Sequence, residues 1–197
     1  MQETKTKIKN VLQEALEDDI ITKQEFTAMD PEDKGVGRFY CNFKVHKQHK
    51  HNKVPPVRPI TSQSGSMCEG ISMFVEHHIK HIATKHESYI EDTPDFLRVL
   101  NQINQGPKLS DDTMLVTMDA TGLFTNIRHK DGLNAMDEKL KERNEPKVPT
   151  EFIMKLMEII LEHNIFEFHD SHWKQNVGAA MGCRPIPPYA NIYSWLK

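Results

Sequence analysis

Val116-Thr117-Met118-Asp119-Ala120-Thr121-Gly122-Leu123-Phe124-Thr125-Asn126-Ile127 is the stretch on which the reading of the fold turns. With Met114 and Leu115 before it, the segment opens as a short apolar run, which predicts a buried strand over residues 114–118. The run ends at a carboxylate. Burying an isolated charge is costly unless it is solvated, hydrogen-bonded or bound to a cation, so Asp119 needs a partner. Two readings are open on these residues alone: Asp119 caps the turn through Ala120-Thr121-Gly122, as aspartate often does, or it belongs to a site. Leu123 and Phe124 are likewise open between core packing and contact with a ligand.

Working outward, Ile8, Val11, Leu12, Ala15 and Leu16 recur at helical spacing and predict an amphipathic helix ending near Asp18-Asp19. Thr22 with Glu25 three residues on predicts a capping box and a second helix. After Gly35 and Gly37, residues 38–45 are rich in aromatic and β-branched side chains and read as a strand, with residues 57–62 as its partner. Helices are expected over residues 69–86, from Thr93-Pro94-Asp95 with Thr93 as cap, over residues 130–141, and over 151–163 behind a Thr150 cap. Residues 165–168 and 173–177 flank His169-Asp170-Ser171-His172 as a hairpin, and a last helix starts near Pro187-Pro188 and runs to Trp195. Interspersed helices and strands without an internal repeat predict an α+β or α/β fold.

The 197 residues, 38% of them hydrophobic, suffice for one sizeable core. A mean hydropathy of -0.60, with no apolar run near the roughly 20 residues a membrane helix needs, predicts a chain outside the membrane. No secretory signal is visible at the polar, lysine-rich start, and Cys41, Cys68 and Cys183 are odd in number and widely spaced. An intracellular, reducing compartment, nucleus or cytoplasm, is therefore expected. The net charge of -3 hides an asymmetry: residues 34–67 contain no acidic side chain but carry Lys34, Arg38, Lys44, Lys47, Lys50, Lys53 and Arg58, interleaved with His46, His49 and His51. Such a block is either a footprint for phosphates or a solvated basic loop.

Four blocks in one order narrow these readings. The quoted stretch resembles motif A of reverse transcriptases, and its Leu-Phe-Thr-Asn-Ile continuation is especially similar to that of Penelope-like retroelements. Phe43-Lys44-Val45-His46-Lys47 and Val57-Arg58-Pro59-Ile60 resemble the fingers motifs of that family. Gly178-Ala179-Ala180-Met181-Gly182, followed by Pro187 and Ala190-Asn191-Ile192, resembles its motif B. The resemblance covers roughly residues 39–195.

It implies an RNA-directed DNA polymerase with a right-hand architecture, which is α+β: an N-terminal helical segment over 1–35, fingers over 36–112 and an incomplete palm over 113–197. Asp119 and the backbone carbonyl of Ala120 are implied as ligands of Mg²⁺, which takes oxygen donors, and Asp119 as the catalytic carboxylate of a two-metal displacement. Lys44 and Arg58 are implied as contacts to the incoming triphosphate, Phe124 as the aromatic that excludes a ribose 2′-hydroxyl, and Met181 and Gly182 as further nucleotide contacts. The implied partners are an RNA template, a DNA primer and a deoxynucleoside triphosphate.

Some positions depart from the family. Motif B usually continues into Ser-Pro, whereas Cys183-Arg184-Pro185-Ile186-Pro187-Pro188 stands here, and Phe43 occupies a place where many relatives have proline. The Tyr-x-Asp-Asp block of motif C is expected beyond residue 197, together with the thumb and the GIY-YIG nuclease that such elements often append. The chain is accordingly expected not to polymerise DNA by itself, and to leave apolar surface uncovered around residues 114–118 and 186–195. Two other readings remain: a metal-binding module using His46, His49 and His51 or His77, His78 and His81, and a non-catalytic nucleic-acid-binding remnant held by the basic block.

Overall fold

A computed structural model describes residues 1–45, 55–144 and 146–195. The tip of the basic hairpin, with His46, Lys47, His49, Lys50, His51 and Lys53, lies outside the described residues.

The chain opens with α1 (Gln2–Glu17), whose buried stripe of Thr4, Ile8, Leu12 and Ala15 follows the predicted periodicity and ends where Asp18-Asp19 was expected to end it. In α2 (Lys23–Met29) the predicted capping box is present. The Glu25 amide donates to Thr22 Oγ1 at 3.2 Å, and the Thr22 amide donates to the Glu25 carboxylate at 2.7 Å. Donation to the Glu25 carboxylate by the Thr22 amide, and by the Thr22 hydroxyl at 2.8 Å, holds that carboxyl below its ordinary range.

Strands β1 (Gly37–Phe43) and β2 (Val57–Ser62) pair antiparallel from Arg38 opposite Ser62 to Phe43 opposite Val57. After α3 (Glu69–Ala83) comes α4 (Thr93–Gln105). Its cap is Asp92, whose carboxylate accepts from the Asp95 amide at 2.8 Å, so the predicted Thr93 cap is displaced by one residue to a stronger, charged acceptor. A short α5 (Leu123–Asn126), not foreseen in the sequence, precedes α6 (His129–Lys141) and α7 (Thr150–Glu162). Thr150 is the first helical residue rather than the cap, and its hydroxyl accepts from Arg143 at 3.0 Å.

Strands β3 (Ile165–Phe168) and β4 (Ser171–Lys174) form the expected hairpin, though tighter: only His169 and Asp170 make the turn, both at positive φ (51° and 55°), as a type I′ turn requires. The last helix is α8 (Ile186–Ser194).

The result is a mixed α+β fold with one four-stranded sheet in the order β2-β1-β3-β4 among the described residues. The central pairing of β1 with β3 is parallel and short, Gly37 opposite Phe166 and Arg38 opposite Glu167. Alternation gives the sheet two faces. Phe39 stacks on Phe166 with centroids 5.3 Å apart and meets Phe168 edge-on at 5.2 Å on one face, while Arg38, Tyr40 and Ser62 belong to the other.

The core lies among the helices. In α7, Phe152, Ile153, Leu156, Met157, Ile159, Ile160 and Leu161 are all buried, and the helix packs against α1, α3 and α6. Helix α8 closes the far side against α3 and α6, with Ile186, Tyr189, Ala190 and Ile192 buried. This corrects the expectation of uncovered apolar surface over residues 186–195, because α3 and α6 supply the cover.

The strand predicted at residues 114–118 does not form. Residues 113–120 have no regular structure, and Met114, Leu115, Val116 and Met118 are 67–94% exposed. A strand exists only by pairing its backbone, and among the described residues no strand pairs with this segment: the outer edge of β2 is occupied by the loop carrying Met181. Helix α4 is also uncovered, with no buried residue and with Phe96, Leu100 and Ile103 exposed. Among the described residues no helix is long and apolar enough to cross a membrane.

Two outcomes test this packing. Gly132 of α6 lies so close to Tyr189 that an added Cβ would sit 1.9 Å from the phenol oxygen of a fully buried ring. Gly132→Ala is therefore expected to destabilise by about 1–3 kcal/mol, read as a lower denaturant midpoint, despite the helix propensity of alanine. A rise in midpoint sinks this account. Second, burial, with His77 beside it, pushes the His78 pKa from 6.5 down to about 4, and burial lowers His163 in the same sense. Between pH 6.5 and 4 the unfolded chain binds protons that the native state refuses, so stability falls as pH drops through that window. His78→Gln should flatten part of that fall; an unchanged profile counts against the assignment.

Candidate functional site

On the aromatic face of the sheet a cavity of about 240 Å³ is lined by Phe39, Pro59, Thr61, Thr125, Ala179 and Met181, together with Phe166 of β3 and Gln175 just after β4. The others come from β1, β2, α5 and the loop before α8. Sequence positions over a hundred residues apart meet here, and backbone hydrogen bonds explain how.

The loop over residues 178–182 is held from both sides. The Ala179 amide donates to the Phe124 carbonyl at 2.7 Å, joining the loop to α5. The Thr61 amide donates to the Met181 carbonyl at 2.7 Å, joining it to the edge of β2. Both terminal glycines have positive φ, 75° at Gly178 and 108° at Gly182. A Cβ on Gly178 would lie 2.7 Å from the Thr125 carbonyl oxygen, and one on Gly182 would lie 2.6 Å from that of Thr61. Glycine is required at both places by conformation and by close approach.

Two further residues secure the arrangement, and the resemblance points to neither. His129 Nε2 lies 2.8 Å from the Gly178 carbonyl oxygen, within hydrogen-bond distance. Cys183 is buried with its sulfur 3.5 Å from Ser72 Oγ, and burial pushes its thiol up to about 11, so it is a packing group rather than a nucleophile. Within α5, Asn126 Nδ2 donates to the Gly122 carbonyl at 2.9 Å, as does the Thr125 hydroxyl, and Gly122 takes a left-handed φ of 64°. The Thr-Asn pair thus folds the segment after Asp119 back on itself.

The implied site residues distribute unevenly. Met181 and Gly182 sit on the clamped loop, and Phe124 is half-buried against the core beside it. Arg58 is exposed on β2 opposite Asn42, on the sheet face of Arg38 and Tyr40, which is the face away from the cavity. Lys44 continues the ladder beyond β1, its amide donating to the Pro56 carbonyl at 2.8 Å. Asp119 and Ala120 lie on the exposed irregular segment.

Magnesium takes about six oxygen ligands in near-octahedral order. An exposed lone carboxylate and one carbonyl do not make such a set, and among the described residues no three His, Cys, Asp or Glu side chains gather as a metal site. The residues present therefore do not by themselves fit the ion. The same holds among the described residues for His77, His78 and His81, of which His77 and His78 meet edge to face with ring centroids 5.1 Å apart.

In comparisons with protein-family models, curated proteins and solved structures, nothing matches the chain.

Because Gly182 combines a positive φ with contact to the β2 backbone, Gly182→Ala is expected to cost about 1–3 kcal/mol. The loop should also loosen, read as faster amide exchange at Thr61 and Ala179. Protection equal to that of the parent protein would contradict the clamp.

Proposed function

We propose that the chain supplies the fingers and part of the palm of a reverse transcriptase, an RNA-directed DNA polymerase of the Penelope-like retroelement type. The observation that carries this reading is the convergence of three of its four sequence blocks at one cavity. The Val57-Arg58-Pro59-Ile60 block reaches the cavity through Pro59, and the Gly178 to Gly182 loop is joined by backbone hydrogen bonds of 2.7 Å to Phe124 of the Leu123 to Ile127 segment and to Thr61, the residue directly after the Val57 to Ile60 block. Blocks that a polymerase uses together are thus neighbours in space.

In this reading the aromatic cavity beside Met181 and Thr125 accepts the base and sugar of a deoxynucleotide, with Phe124 below the sugar. The basic β1–β2 hairpin meets the phosphates of RNA template and DNA primer through Lys44 and Arg58, and Arg58, on the sheet face away from the cavity, is not assigned to the triphosphate of a nucleotide held there. Mg²⁺ supplies charge neutralisation in such enzymes. Nucleotidyl transfer by two metal ions needs carboxylates beyond Asp119.

A second reading is a non-catalytic nucleic-acid-binding unit, in which the basic hairpin binds and no nucleotide is incorporated. Asp119, exposed and without gathered carboxylates, is the observation behind it.

One experiment addresses both. Binding of an RNA–DNA primer-template is expected to weaken steeply with salt, and Lys44→Ala and Arg58→Ala should each lower the slope of log K against log salt by about 1. No magnesium-dependent primer extension is expected; its detection discards the non-catalytic reading. Failure to bind at low salt discards both.

A further inference from the structure

The sheet face opposite the aromatic cavity carries a feature that the polymerase reading does not use. The register places Ser62, Arg38, Glu167 and His172 in one row across all four strands: Arg38 is opposite Ser62 on β2 and Glu167 on β3, and Glu167 is opposite His172 on β4. Side chains in register across a sheet share a face. The row presents a hydroxyl, a guanidinium, a carboxylate and an imidazole side by side. It forms the floor of a cavity of about 660 Å³, walled by Tyr40 and by Ser64 and Gly65 of the turn after β2. That volume lies in the range of small-ligand sites.

The polar groups in the row are not used by the fold. No ion pair or hydrogen bond engages the side chains of Arg38, Glu167 or His172 among the described residues, although Arg38 and Glu167 are direct cross-strand neighbours. A guanidinium facing a carboxylate normally pairs with it where the geometry allows. Here each is left with its hydrogen-bonding capacity open toward the same concavity. Tyr40 adds an aromatic face that is 49% exposed. An anion-binding fork, a two-oxygen acceptor, two serine hydroxyls and a stacking ring match the parts of one ligand class.

We propose that this concavity binds a nucleoside 5′-monophosphate unit with a guanine base, either as a free nucleotide or as one residue of a single strand. The phosphate meets the Arg38 fork and the hydroxyls of Ser62 and Ser64, the base stacks on Tyr40, and the Glu167 carboxylate accepts from the adjacent N1–H and N2–H groups of guanine. Of the common bases only guanine offers two adjacent donors to a carboxylate on one edge. The site shares no lining residue with the aromatic cavity, and it does not depend on the polymerase reading.

The test is titration of the full chain with guanosine 5′-monophosphate, followed by calorimetry and by amide shifts at Arg38, Tyr40 and Glu167. Adenosine and uridine monophosphates and inorganic phosphate serve as comparison ligands. Guanosine monophosphate is expected to bind at least about tenfold tighter than the other nucleotides, in keeping with loss of hydrogen bonds to a charged acceptor. Arg38→Ala should weaken all nucleotides about tenfold or more, whereas Glu167→Gln should erase the preference for guanine and leave phosphate binding in place. These residues are exposed, so the variants should melt like the parent, and Lys155→Ala on α7 serves as the control. A guanine-containing oligonucleotide that binds much tighter than the mononucleotide assigns the site to a strand; equal affinities assign it to the free nucleotide. Binding no tighter than that of inorganic phosphate, or affinity unchanged in Arg38→Ala, overturns the proposal, and neither result bears on Lys44, Arg58 or primer-template binding.

Discussion

The fold depends on a short parallel contact between β1 and β3, and a buried chain of amides holds that contact in place. Only Gly37 with Phe166 and Arg38 with Glu167 are paired, too few to secure two hairpins on their own. Beside them Gln63 Nε2 donates to Asn164 Oδ1, Ser66 Oγ donates to Gln63 Oε1 at 2.6 Å, and Asn164 Nδ2 donates to Gln175 Oε1 at 2.9 Å. Gln63 and Asn164 are buried, and among the described residues no buried side-chain nitrogen or oxygen lacks a partner. Removing one member would strand the next at a cost of about 1–3 kcal/mol. Gly37 fits the same constraint: a Cβ there would lie 2.8 Å from the Ser62 carbonyl oxygen and 3.0 Å from Gln63 Nε2. The junction needs both the amide and the missing side chain.

From that junction follow both surfaces of interest. Once β1 is fixed between β2 and β3, alternation sends Phe39 toward Phe166, Phe168 and the clamped loop, and Arg38 toward Glu167 and the polar row. The helical core behind the sheet is separately secured by α7, which is apolar around most of its circumference and is covered by α1, α3 and α6. The segment from α4 to residue 120 stands apart from both, with its apolar side chains largely exposed. Exposed apolar surface of this extent marks a place where hydrophobic cover is missing, since burial of such side chains contributes about 1.5–3 kcal/mol each.

Local chemistry was legible in the residues. The Thr22–Glu25 box, the stripe of α1 and the helix ends near Glu17 and Trp195 rest on contacts within a few positions, and β1 pairs with the next strand along the chain, so pattern alone reaches them. The strand at residues 114–118 was misread because an apolar run specifies burial and extension only when another strand offers hydrogen bonds. The expected exposure of α8 was misread for the converse reason: Gly132 of α6 opens room for Tyr189, and such close approach of one helix to another leaves no periodic trace.

For the candidate site, the sequence by itself determined the residue types and their order: glycines at 178 and 182, the Thr-Asn pair after Asp119, and the basic block around Lys44 and Arg58. Only the tertiary structure decided that the loop is clamped between Phe124 and Thr61, that Arg58 faces away from the cavity, that Asp119 stays in solvent, and that Arg38, Glu167 and His172 line up in one row. The physical reason is register. Which residues stand opposite one another depends on pairing between segments more than a hundred positions apart, and that pairing is settled by burial and hydrogen-bond satisfaction across the whole fold rather than by any local pattern.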